Sequence, residues 1–143
     1  MTVIKMVETW RGVYPITSFV LEALGRKRDA GPEALSADEQ TLLTAAEFWA
    51  AAAHGTLFAH LQSDVAGRLA AARQAFTALG AVRVVSVLRV AGEELQATRL
   101  RQSPAEVIAQ LDERLARTDD NVDDLIARYA GAIDQSTAGA QAR

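Results

Sequence analysis

Apolar residues recur along this chain at intervals of three and four, the spacing that gathers them on one face of an α-helix. No stretch shows the strict alternation of a half-buried strand. Val3, Val7, Trp10 and Tyr14 form a first stripe, and Ile16, Phe19, Val20, Ala23 and Leu24 form a second. Pro15 between them removes a backbone donor and clashes with the preceding turn, so it kinks or splits the segment. Arg26 to Leu35 contains Gly31 and Pro32 and reads as a loop.

Ser36 with Glu39 three residues later is the pairing in which hydroxyl and carboxylate each accept a free N–H at a helix start. The helix it opens carries Leu42, Leu43, Ala46, Phe48, Trp49 and the alanines 50–53, which let a neighbouring helix come close. Gly55 interrupts, a short segment follows from Thr56 to Gln62, and Ser63 or Asp64 can cap the next helix. Val65, Leu69, Ala72, Phe76 and Leu79 are its predicted core side, and Gly80 is placed to end it in a left-handed cap.

From Ala81 to Leu95 the valines 82, 84, 85, 87 and 90 favour a strand. Arg83, Ser86, Arg89 and Glu93 recur every three to four positions instead, and that polar stripe predicts a helix, central and largely buried. Ser103, Pro104 and Glu106 combine a cap, a first-turn proline and a capping-box carboxylate ahead of Val107, Ile108, Leu111 and Leu115. Thr118 is the predicted cap of the last helix, where Val122, Leu125, Ile126, Tyr129, Ala130 and Ile133 form the stripe. The expected fold is all-α, a compact single-domain bundle of about six to seven helices. An N-terminal helical segment and loop occupies 1–35, a helical core 36–134 and a disordered tail 135–143.

Composition narrows the chemistry. With 143 residues, half of them hydrophobic and 23% charged, the chain has enough apolar material for one core. Folding at this length removes roughly 70% of the unfolded chain's surface from water. The absence of cysteine excludes disulfides, thiolate metal sites and cysteine nucleophiles. The first residues lack a basic region leading into an apolar run, and charges interrupt every apolar stretch before a membrane span is reached, so a cytoplasmic protein with no membrane partner is expected.

The net charge of −3 hides an uneven distribution. Six arginines stand against three acids from Ser63 to Arg101, and eight acids against three arginines from Ser103 to Asp134. Asp112, Glu113, Asp119, Asp120, Asp123 and Asp124 concentrate the acids around the turn between the last two helices. Helix-start electrostatics accounts for Asp119 and Asp120 and accounts less well for Asp123 and Asp124. These six are the candidate protein-binding residues, with a solvated surface as the alternative.

His54 and His60 are six apart, not the four that align two ligands on one helical face, so packing or capping is the preferred reading and no metal is assigned. Neither a phosphate loop nor a nucleophile elbow nor a dinucleotide fingerprint is present, so no catalytic residue and no cofactor is assigned. The basic run Arg26, Lys27 and Arg28 suits a helix C-terminus and needs no nucleic-acid role.

The stretches EFWAAAAHGTLFAHLQSD, ARQAFTALGAVRVVSVLRVA and LDERLARTDDNVDDLIARYAGAI occur in an order that resembles a family of small bacterial all-helical domains of largely unknown function, named for its DNA-mimic member. The resemblance covers about residues 36–133, and Leu111, Asp112, Arg114, the acidic run, Leu125 and Tyr129 carry most of it. The turn at His54, Gly55 and Thr56 departs from it, since the family has an acid and then Asn-Gly-Gly there. What the resemblance implies is an acidic surface that imitates duplex phosphate on the DNA-binding face of a basic protein. The expected function is therefore a non-catalytic protein-binding domain, with such a DNA-binding protein as partner and no direct nucleic-acid contact. An immunity-type protein, a homo-oligomeric interaction domain using the first helical segment, and an enzyme assembled from several helices around His54 or His60 are the alternatives.

Overall fold

Helix starts and stops written into the sequence account for most of the element boundaries. The computed structural model describes residues 16–97, 103–118 and 120–141, and these form seven α-helices and one 3-10 turn with no strand among them. In chain order they are α1 (Ile16–Ala30), the 3-10 turn Pro32–Ala34, α2 (Ala37–Ala53), α3 (Leu57–Leu61), α4 (Val65–Leu79), α5 (Val82–Ala97), α6 (Pro104–Ala116) and α7 (Val122–Gln141). The all-helical reading is therefore correct. The stripe from Val3 to Tyr14, together with Pro15, lies outside the described residues.

Ser36 and Glu39 form the reciprocal pair expected of them. The Glu39 amide donates to Ser36 Oγ, and the Ser36 amide donates to Glu39 Oε1, both at 3.1 Å. Asp64, not Ser63, caps α4 by accepting from the Gly67 amide at 3.1 Å. Gly80 ends that helix at φ 81°, in the left-handed region where a side chain is strained. Ser103 Oγ accepts from the Glu106 amide at 3.3 Å, with Pro104 in the first turn of α6.

Three local expectations need correction. The stretch read as a loop from Arg26 is still helix through Ala30, and the 3-10 turn follows at once. Gly31 and Pro32 thus act at the helix end and not across the whole stretch. Helix α7 begins later than Thr118, because Asn121 Oδ1 accepts the Asp124 amide at 3.2 Å while the Thr118 hydroxyl donates back to the Leu115 carbonyl at 2.9 Å. The third concerns α5, which packs on both α4 and α6 but buries only one side, at Val84, Leu88 and Ala91. Val82 in its first turn is 74% exposed.

The chain divides into two compact units. One comprises Phe48–Asp120, in which α4 packs on α5, α5 on α6, and the short α3 on both α4 and α6. At its centre Phe48 and Phe76, each at most 1% exposed, meet edge to face at 5.7 Å between ring centroids. Trp49 approaches Phe76 in the same manner at 6.3 Å. Edge-to-face pairs place the positive rim of one ring against the negative face of another, adding about 0.5–1.5 kcal/mol to the burial itself.

The other unit takes the chain up to Glu47 together with the chain from Asn121 onward. Here α1 packs on α7, with Val20, Leu24, Leu42, Leu43, Ile126 and Ala130 buried. The basic run fastens α1 to α2: Lys27 Nζ donates to both Glu39 oxygens at 2.9 Å, and Arg28 reaches Glu47 at 2.7 Å. Arg26 pairs with Glu22 on its own helix. Tyr129 on α7 donates its hydroxyl to Asp38 Oδ1 at 3.1 Å.

Two measurements check this account. Phe76→Ala is expected to lower stability by about 3–5 kcal/mol in urea unfolding, since it removes the ring that both other aromatics abut. Gly80→Ala, whose new methyl would meet open space, should still cost about 1–2 kcal/mol through the left-handed backbone alone.

A pH titration gives an independent check. Burial alone would raise the Glu39 carboxyl, but hydrogen bonds from Lys27 and Ser36 and the Lys27 charge outweigh it and hold the group below its ordinary 4.5. The unfolded chain then binds more protons at this site, so its stabilisation is present above pH 4.5 and disappears as pH falls through the lowered folded value. Burial, followed by the hydrogen bond and charge of Asp38, raises the Tyr129 hydroxyl above 10.0 against a smaller opposing effect of Thr41. That contribution is present below pH 10.0 and is lost as pH rises through the raised value. Glu39→Gln should flatten the acid limb of the stability curve, and Tyr129→Phe the alkaline limb.

Candidate functional site

The last helix of one unit and the first turns of the next element divide the acidic residues between two settings. Asp112, Glu113 and Asp120 belong to the unit Phe48–Asp120, whereas Asp123 and Asp124 open α7 in the other. Asp119 lies outside the described residues.

Their side chains do different work. Glu113 reaches Arg117 one turn along α6 at 2.8 Å, and both are largely exposed. Asp124 reaches Arg128 one turn along α7 at 3.0 Å. Exposed pairs of this spacing contribute about 0.3–0.5 kcal/mol, because water screens the charges and two long side chains lose freedom. Asp123 and Asp124 also sit in the first turn of α7, where the unpaired amides of the helix start favour negative charge. Asp112 is half-buried on α6, and Glu106 is exposed in its first turn.

Asp120 is engaged differently. Its Oδ2 accepts from the backbone amides of Arg83 and Val84, both at 2.9 Å, and so caps α5 from 36 and 37 residues away. The sequence does carry a signal for this. Leu79, Gly80 and Ala81, which lead into α5, supply no side-chain acceptor, so the free amides at Arg83 and Val84 must find one elsewhere. The acceptor itself is remote in sequence, so no local pattern points to Asp120.

Arginines 114, 117 and 128, the only cations between Ser103 and Asp134, are all occupied: Arg114 bonds Glu94 of α5 at 2.9 Å, and the other two hold Glu113 and Asp124. The surplus of acid in this stretch is therefore not neutralised from within it.

The histidines are not brought into a common constellation. His54 is exposed at the end of α2, and His60 is half-buried with its ring edge-on to Phe48 at 6.4 Å. Among the described residues, no group of three or more His, Cys, Asp or Glu is placed to hold a metal ion. No described helix is long and apolar enough to cross a membrane.

Removing the Asp120 carboxylate by Asp120→Ala should cost about 0.5–2 kcal/mol of stability, as loss of a helix cap does, while Asp120→Asn retains an acceptor oxygen and most of that stability. Asp112→Ala should stay within about 0.5 kcal/mol of the parent. Thermal or urea unfolding of the three variants separates the capping carboxylate from one that caps no helix.

The chain matches no family model, no curated protein and no solved structure, so a functional reading rests on its own residues.

Proposed function

We propose that this chain is a non-catalytic protein-binding domain whose acidic stretch engages a basic partner. The partner class that fits the resemblance is a DNA-binding protein, with the carboxylates standing in for phosphates. The observation that supports this reading is the excess of acid between Ser103 and Asp134, eight carboxylates against three arginines. A surface evolved to meet closely spaced phosphates is basic, and carboxylates compete for it on electrostatic grounds. The candidate contacts are Asp112, Glu113, Asp119, Asp123 and Asp124, with Asp120 committed to the α5 cap.

Glu113 and Asp124 would have to exchange their own-helix arginines for the partner's cations, an exchange that costs little because these pairs are exposed. Association should then be fast and steeply salt-dependent. Phe58 and Val82, 47% and 74% exposed, are the large apolar side chains open to solvent among the described residues. Exposed apolar residues in such number are ordinary on a protein surface and do not favour an apolar interface.

The test is partner capture on the immobilised chain from its native cell extract at low and high salt, followed by elution with duplex DNA. A captured protein is expected to leave in high salt and to be displaced by duplex. Reversing Asp112 and Glu113 to lysine, and separately Asp123 and Asp124, should each weaken capture at least tenfold, about 1.4 kcal/mol. Capture that survives both reversals would overturn the reading. Displacement by salt but not by duplex would retain the acidic interface and eliminate DNA mimicry.

A further inference from the structure

We draw no further inference here: the strongest candidate, the exposed face of α4 with Ala66, Ala70 and Ala71 beside Arg68 and Arg73, is an unpartnered small-residue face, and nothing in the structure shows what covers it.

Discussion

Each helix begins with amide groups that have no carbonyl one turn earlier to accept them, and the seven helices of the described residues meet that constraint repeatedly. Ser36, Asp64, Ser103 and Asn121 resolve it locally, each accepting from an amide three residues on. Helix α5 cannot, because the residues leading into it carry no acceptor. Asp120 supplies one, and in doing so joins the end of the α6 segment to the start of α5. Since α5 packs on both α4 and α6, its first turn matters to much of that unit.

The same requirement shapes the electrostatics. A carboxylate near a helix start is stabilised by the helix, so acids collect where helices begin. Asp120 is drawn into the backbone by this effect, whereas Asp123 and Asp124 stand in the first turn of α7 with Asn121 taking the capping hydrogen bond. An acidic turn thus mixes a carboxylate that caps a distant helix with carboxylates that stand at a helix start, one of them paired with Arg128. The basic run at the end of α1 is used in the opposite sense: Lys27 and Arg28 are spent on Glu39 and Glu47, which binds α1 to α2 within their unit. Glu39 carries two tasks, closing the start of α2 and receiving Lys27. That convergence is why its carboxyl resists protonation despite partial burial.

What the sequence by itself determined lies mostly within about one helical turn of its physical partner. The stripes, the Ser36 and Glu39 pair, the Ser103 cap, the left-handed end at Gly80 and the choice of helix over strand for the valine-rich segment belong here. Each depends on contacts three or four residues apart, so the pattern can be read without knowing where the chain goes next. Even locally, two acceptable caps could compete, and Asn121 displaced Thr118 for that reason.

The tertiary structure decided which residues meet across longer separations. It set Lys27 against Glu39, Arg28 against Glu47, Arg114 against Glu94, and Tyr129 against Asp38. It also made α5 one-sided, since a helix rich in valine on several faces buries only those that a neighbour covers. For the candidate site, the sequence identified the acids and their surplus of charge. Only the fold separated Asp120 from the rest, because its two amide donors come from a helix 36 and 37 residues earlier and no spacing rule reaches that far.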